Sequence, residues 1–401
     1  MPNLVSSEKC TGCSACTNIC PQNAIKMIAD NEGFLQPVID ETICVNCGLC
    51  EQTCPALSSN LSFGSLNPNV YAGWHKLDRI ISSSGGMFSA FSRRILSDGG
   101  SVFGASLDAD FNCYHKEITT IEDLYLLRGS KYMQSKIGMI LKVVKARLNE
   151  GKKVLFCGTP CQIAGLRNYL KKDYEGLLTI DLTCHGVPSN AVFKSYIDKL
   201  QKKLKLTEKN SRIQKYEFRR RDGWGMFPSY SVDGSRFTPV YGSNALYMKA
   251  FNKSALFRKS CYSCRYAKIP RIGDITLADF WGIGRHGDPF KYDTMKGVSL
   301  VLANTEKGLN AIKSLDEETF VEERTLDEAL IENHNLTNSS PCHPQRDEII
   351  RDFLNEQIPL KKIGNKYGLT NRNLKEIIKE YSSKLGLFSF VKRIYNKVKS
   401  L

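Results

Sequence analysis

At 401 residues, with 42% apolar and 10% aromatic content, the chain holds enough hydrophobic material for about two or three folded domains, which excludes a disordered or fibrous protein. The formal charge of +15 is uneven, because from Lys361 onward eleven Lys or Arg face two Glu. No run approaches ~18 apolar residues and the first residues, MPNLVSSEKC, show no apolar signal core, so a cytoplasmic protein with reduced thiols is expected.

Residues 10–21 read CTGCSACTNICP and residues 44–55 read CVNCGLCEQTCP, which is C-x2-C-x2-C-x3-C-P written twice. That run is the ligand signature of a bacterial two-cluster ferredoxin; structural zinc is the alternative, but zinc sites group their soft ligands differently. In such modules the fourth cysteine of each run crosses over. One [4Fe-4S] cluster is therefore expected on Cys10, Cys13, Cys16 and Cys54, and the other on Cys44, Cys47, Cys50 and Cys20, within a ferredoxin-type domain over residues 1–60. Small residues at Gly12, Ser14, Ala15 and Gly48 let main-chain N–H groups approach the sulfides.

Ser58 to Asn69 is rich in Ser, Asn and Pro and reads as a linker. A strand is predicted over Val70–Trp74, followed by the Gly-rich turn Ser82–Gly86 and a helix whose apolar face is Met87, Phe88, Phe91, Ile95 and Leu96. Such a turn can cradle a phosphate or simply cap the helix. Residues 128–135, RGSKYMQS, read either as an exposed loop or as a segment in which Lys131 supplies charge to a cofactor. A helix is predicted over Ile137–Leu148.

The centre of the chain is VLFCGTPCQIAGL from Val154 and TIDLTCHGVPS from Thr179. Val154–Phe156 is an apolar run closed by Gly158 and Pro160, after which Ile163, Ala164 and Leu166 recur at helical spacing, so strand, tight turn and helix deliver Cys161. Leu178, Ile180 and Leu182 alternate with polar residues and deliver Cys184 at the end of a second strand. The carboxyl ends of such strands are where open α/β sheets bind ligands. An amphipathic helix follows over 191–206, then YEFRRRDGW from Tyr216, which offers three arginines to an acidic partner or to solvent. Cys261 and Cys264 form a lone C-x2-C, open to half a zinc site, a redox pair or half a cluster. Gly282–Gly287 matches G-x-G-x-x-G, but Pro289 forbids the helix that a dinucleotide site needs.

A last strand and helix are predicted over Val298–Ala303 and Gly308–Leu315. Beyond about Pro344 the pattern is helical and basic. Gly368, Leu369 and Leu374 stand loosely as in a helix-turn-helix, which would touch nucleic acid, though such binding is not the favoured reading. Leu387, Phe390, Val391, Ile394, Val398 and Leu401 share a face opposite lysines, suited to packing on the protein itself or to peripheral contact with a membrane.

SSGG near residue 84, GSKYMQS, VLFCGTPCQIAGL, DLTCHGVPS, CYSCRYAKIPRIGDITLADFWGIG and KGVSLVLANTEKG together resemble the family of coenzyme F420 hydrogenase/dehydrogenase β subunits, from about Tyr71 to about Pro344. The resemblance implies family regions over 66–150 and 151–345 that form a mixed α/β flavin and iron–sulfur domain; with the ferredoxin module before them and a basic helical tail over 346–401, which is not part of the shared family core, an α/β (α+β) multidomain chain is expected. It implies FAD, with Ser84, Gly85, Gly86, Gly129, Ser130, Lys131, Tyr132, Gln134 and Ser135 at the flavin. It also implies a third [4Fe-4S] cluster, to which Cys161, Cys184, Cys261 and Cys264 are assigned, with Cys157 a rival ligand expected to point into the core. The sequence HGVPS after Cys184 departs from the deazaflavin-linked hydrogenase members, so coenzyme F420 is not carried over as a firm expectation. Bacterial chains of this kind are similar to proteins that accompany cell-surface polysaccharide synthesis.

Clusters move one electron at a time and a flavin converts between one and two. The expected function is therefore an iron–sulfur flavoprotein oxidoreductase that passes electrons between a ferredoxin-like partner and an unidentified two-electron small-molecule acceptor. Rival readings are an electron-relay component without a substrate of its own and a redox-sensing DNA-binding protein.

Overall fold

The computed structural model describes residues 2–58, 63–206, 212–219 and 227–370, together with 377, 378, 381, 382, 385–387, 390, 391 and 394. Leu374, Val398 and Leu401 of the basic tail lie outside the described residues, and Arg219 is the one described member of its arginine run.

The N-terminal module is α1 (Ala15–Ile19), the antiparallel hairpin of β1 (Ile25–Ala29) and β2 (Leu35–Ile39), and α2 (Leu49–Thr53). Then come β3 (Asn69–His75), α3 (Met87–Ser97), β4 (Ser101–Leu107), β5 (Cys113–Ile118), α4 (Ile140–Asn149), β6 (Val154–Gly158), α5 (Pro160–Leu170), β7 (Leu177–Leu182) and α6 (Asn190–Lys203). The short strands β8 (Lys215–Glu217), β9 (Ser229–Ser231) and β10 (Thr238–Pro239) lead to α7 (Leu246–Asn252), β11 (Ile275–Asp279), β12 (Ser299–Ala303), α8 (Glu306–Lys313), β13 (Thr319–Arg324), α9 (Leu326–Glu332), α10 (Arg346–Leu354) and α11 (Leu360–Lys366).

Eight strands form one mixed sheet in the order β13-β3-β12-β11-β7-β6-β4-β5. Its centre, β4, β6, β7 and β11, is parallel, and β12 and β5 join antiparallel on either side. Parallel strands covered on both faces read as nearly continuous apolar runs. Val154, Leu155 and Phe156 show why: Phe103, Val154, Phe156 and Leu177 face α4 and α5, whereas Val102, Leu155, Leu178 and Val301 face the side covered by α3 and α8. A third core gathers α6, α7, α10 and α11 around Phe193, Tyr196 and Tyr247. Ile349, Ile350, Phe353, Leu360, Ile363, Tyr367 and Leu369 all belong to it, so residues 346–369 are built into the main body although the segment reads as basic. Leu369, one of the helix-turn-helix residues, is 1% exposed there.

Among the described residues no helix is long and apolar enough to cross a membrane. Gly282, Gly284 and Gly287 lie against Glu332, Phe290 and Glu328, so that glycine triplet is taken up by protein packing.

Candidate functional site

In the N-terminal module the two cysteine runs adopt the same local backbone. Gly12 and Asn46, two residues after the first cysteine of each run, have φ of 69° and 54°, and Ser14 and Gly48, four residues after it, have φ of 60° and 71°. Left-handed residues at these points turn successive N–H groups inward, forming a nest that favours an anionic occupant. Cys10, Cys13, Cys16 and Cys54 line one cavity, and Cys20, Cys44, Cys47 and Cys50 line another. The exchange of the fourth cysteine is thus visible in the geometry. Gly12 N–H lies 3.4 Å from Cys10 Sγ and Ala24 N–H 3.3 Å from Cys20 Sγ, the kind of contact that also tunes a cluster. Two cavities each lined by four thiols fit two clusters. Among the described residues no three Cys, His, Asp or Glu side chains converge as the ligands of a single ion do, whereas each thiolate of a cubane takes a different iron.

A third group of thiols forms at the carboxyl end of the sheet. The turn after β6 carries Pro160 at the first position of α5, and Gln162 Oε1 accepts from Thr159 N–H at 3.0 Å, which closes the helix start and fixes Cys161 in its first turn. Thr159 Oγ1 lies 3.2 Å from Cys161 Sγ. Cys184 leaves the end of β7, while Cys261 and Cys264 come from the loop before β11. The four are close enough to act on one another electrostatically. Burial pushes the Cys161 thiol up to about 11 and Cys261 up to about 12, and raises Cys184 well above its ordinary value, with the neighbouring thiols adding to the rise. Positive iron would offset that cost, so the donor set fits a third cluster chemically.

Cys157 stands apart from this quartet. Its thiol is pushed up to about 12 by burial and then by Asp181, while Lys131 opposes the rise. Its main-chain oxygen accepts from His115 Nε2 at 3.0 Å, and the ring's Nδ1 meets Ser135 Oγ at 2.8 Å. A carbonyl only accepts, so Nε2 carries the proton, and burial, which brings the imidazole down to about 4, keeps the ring neutral.

The first and third thiol groups are neighbours through α5. A Cβ added at Gly165 would sit 2.9 Å from Cys13 Cβ and 3.0 Å from its Sγ, so the helix that starts at Cys161 presses its bare backbone on the N-terminal module. Gly165→Val is expected to push the module off by overpacking, at a cost of about 1–3 kcal/mol. The check is the rate of electron passage through the protein, which should fall; a wild-type rate would show that this contact is dispensable.

Other contacts fix the same docking. Arg258, 1% exposed, donates through Nε to Cys10 O at 2.6 Å and through its terminal nitrogens to Leu35 O at 3.0 Å, Gln36 Oε1 at 2.8 Å and Gln134 Oε1 at 3.2 Å. Ser260 Oγ donates to Cys10 O at 3.0 Å, and Arg265 to Ala56 O at 2.9 Å and Ser58 O at 2.9 Å. Arg346 grips Glu32 with both terminal nitrogens, at 2.7 and 2.6 Å. Arg271 in turn donates to Tyr266 O at 3.1 Å and Asp181 Oδ1 at 2.9 Å, tying the Cys261–Cys264 loop to β7.

Residues 151–329 match the C terminus of the coenzyme F420 hydrogenase/dehydrogenase β subunit, and residues 9–57 match a 4Fe-4S dicluster domain. The resemblance to the coenzyme F420 hydrogenase/dehydrogenase β-subunit family therefore stands over residues 151–329, and the ferredoxin module over residues 9–57. Its relatives include a coenzyme F420-dependent sulfite reductase of Methanocaldococcus jannaschii, 27% identical over 314 residues, which are 76% of this chain and 46% of that protein. A component of the F420H2 dehydrogenase of Methanosarcina mazei is 22% identical over 191 residues, 45% of this chain and 54% of that one. The chain spans about half the length of the curated relatives it matches. A chain of the F420-reducing [NiFe] hydrogenase complex from Methanosarcina barkeri aligns with 77% of this chain and 94% of its own length at 16% identity and a TM-score of 0.42.

The two segments expected at a flavin do meet, since Ser130 N–H donates to Ser83 Oγ at 2.9 Å. Their side chains, however, are used by the protein itself. Ser84 Oγ donates to Val298 O at 3.1 Å, a Cβ at Gly85 would lie 2.2 Å from Gly73 O, and Gly86 at φ 84° caps α3. The Lys131 amine donates to Leu127 O and Arg128 O, each at 2.8 Å, and burial brings it down to about 8. Tyr132 packs edge-on to Phe251 and Phe218, and Gln134 Nε2 donates to Thr11 O at 2.9 Å, which makes it a docking residue for the N-terminal module. Gly129, at φ 80°, has open space around it. A flavin here would find main-chain groups rather than a side-chain cradle.

Proposed function

We propose that the chain is an iron–sulfur oxidoreductase component that relays electrons through three [4Fe-4S] clusters between a one-electron protein partner and a two-electron acceptor. The clusters are assigned to Cys10, Cys13, Cys16 and Cys54; to Cys20, Cys44, Cys47 and Cys50; and to Cys161, Cys184, Cys261 and Cys264. The observation that carries this reading is the spatial order of the thiol groups. Cys47 is exposed, Cys10, Cys13 and Cys16 are buried, Cys13 touches Gly165, and the helix bearing Gly165 begins beside Cys161 at the carboxyl end of the sheet. Electrons exchanged at the surface near Cys47 would thus have a covered route inward.

A cluster supplies single-electron steps, and a flavin bound at that end would convert them to pairs. FAD belongs to the proposal on that need, flanked by Ser84–Gly86 and Gly129–Ser135. A carrier of the F420 type is the two-electron partner that the relatives' names favour, as donor in its reduced form or as acceptor in its oxidised form.

The deciding experiment is anaerobic purification with iron, sulfide, zinc and flavin measured per chain. Iron near ~12 is expected, three cubanes of four. Iron near ~8 with one zinc would overturn the third cluster. Turnover of an added acceptor by the isolated protein separates an enzyme from a pure relay. Lys131→Ala should lower flavin occupancy, because the Leu127 and Arg128 carbonyls lose charge-assisted bonds worth roughly 1.5–3 kcal/mol and the following loop loses its anchor. Equal occupancy would remove Lys131 from the site.

A further inference from the structure

Tyr266 lies two residues beyond Cys264 and is 5% exposed. Its ring packs in the core that contains Cys13, Ala15 and Ile163, with Cys161 and Cys264 against the same cluster. Its hydroxyl is buried and has no hydrogen-bond partner among the described residues. The thiols of Cys161, Cys13 and Cys264 are near enough to act on it electrostatically, so the orphaned O–H sits where the first and third thiol groups approach each other. Its backbone is held there, since Arg271 donates to Tyr266 O at 3.1 Å. A phenol carries its proton at neutral pH and can donate. A buried donor left without an acceptor is unfavourable, and cluster sulfurs are acceptors that become more negative when the cluster is reduced.

We infer that the Tyr266 hydroxyl donates a hydrogen bond to a sulfur of the cluster held by Cys161, Cys184, Cys261 and Cys264, and thereby raises that cluster's reduction potential. The third group is chosen over the first because two of the three thiols around the hydroxyl belong to it. No proton is transferred; the bond strengthens as the electron arrives and weakens as it leaves. Tyr266 is thus a positioning and tuning residue at the step between the N-terminal module and the sheet, and it favours the electron on the sheet side. This inference rests on the third cluster proposed above.

The test is Tyr266→Phe, which removes one oxygen and keeps the ring, read by redox titration with electron paramagnetic resonance. The signal of the third cluster is identified as the one missing from the Cys261→Ser, Cys264→Ser double variant. At the wild-type midpoint, the reduced-to-oxidised ratio of that cluster should fall about tenfold or more in Tyr266→Phe, the strength of a hydrogen bond to a charged group. A proton coupling on its signal that exchanges in heavy water should be present in the wild type and absent from the variant. An unchanged midpoint, or a shift confined to the signals that survive in the double variant, overturns the inference. Should the variant lose iron, the wild-type heavy-water measurement decides alone: an exchangeable coupling is required. Wild-type protein holding only ~8 iron would instead sink the third cluster itself, a failure distinct from that of Tyr266.

Discussion

Replacing Cys261 and Cys264 together by serine is expected to lower bound iron from ~12 to ~8 per chain and to stop electron passage from the N-terminal module to any acceptor. Serine oxygen is a poor match for iron that thiolate binds as a soft ligand, and two of four corners would be lost at once. The eight cysteines of the module come from a separate stretch of chain, so their cavities keep their linings. Visible absorbance should therefore fall by about one third and not vanish. Reduction of the remaining clusters by a chemical donor should persist while reduction of flavin or substrate through them fails. Retention of ~12 iron, or undiminished electron passage, would exclude Cys261 and Cys264 as ligands. Cys157 would not rescue the site, because it packs in the core on the α3 face of the sheet, whereas Cys161 and Cys264 pack on the α5 face.

The parts of this arrangement that were legible from residues alone are those in which spacing and chemistry coincide locally. Two cysteine runs of identical spacing announce two clusters, because the cluster dictates the spacing. Val154–Phe156 with Pro160 and Ile163 announces strand, turn and helix, and the observed β6 and α5 follow that outline. Legibility ends where a residue's partner lies far along the chain. Gln134 is placed at the flavin by the resemblance alone, and nothing in its local sequence shows that its amide donates to Thr11 O, 123 residues away. Arg258 and Tyr266 carry no local signal for the same reason: one buries a charge against Cys10 O and the other an unpaired hydroxyl beside distant thiols. The stretch after Pro344 misleads in the opposite sense. Its lysines set the composition, but Ile349, Ile350, Phe353 and Ile363, spaced for helices, set the packing, and they join the core of α6 and α7. Strands β4, β5, β11 and β13 are not anticipated by the sequence, because their apolar and polar residues neither alternate as clearly as in β7 nor form an uninterrupted apolar run closed by Gly and Pro as in β6.

The docking of the N-terminal module gives the second large expectation. Arg258→Met should lower stability by about 1–3 kcal/mol, the cost of leaving buried acceptors without a donor. Methionine fills most of the volume, so the effect isolates polar loss: the oxygens of Cys10, Leu35, Gln36 and Gln134 all lose a donor that is 1% exposed. Arg258→Lys should recover only part of this, because an ammonium on a flexible stem cannot reach four acceptors from one plane. Thermal unfolding and proteolysis followed under anaerobic conditions would measure the loss. The functional consequence is separate from the stability loss. With Cys10 and the hairpin residues released, Cys13 no longer rests on Gly165, so electron passage should slow steeply while the module's own ~8 iron stays bound. A folded Arg258→Met protein with wild-type stability and wild-type transfer would mean that Gly165, Arg265 and Arg346 hold the module without it, and that the buried guanidinium is not the keystone of the route between the clusters.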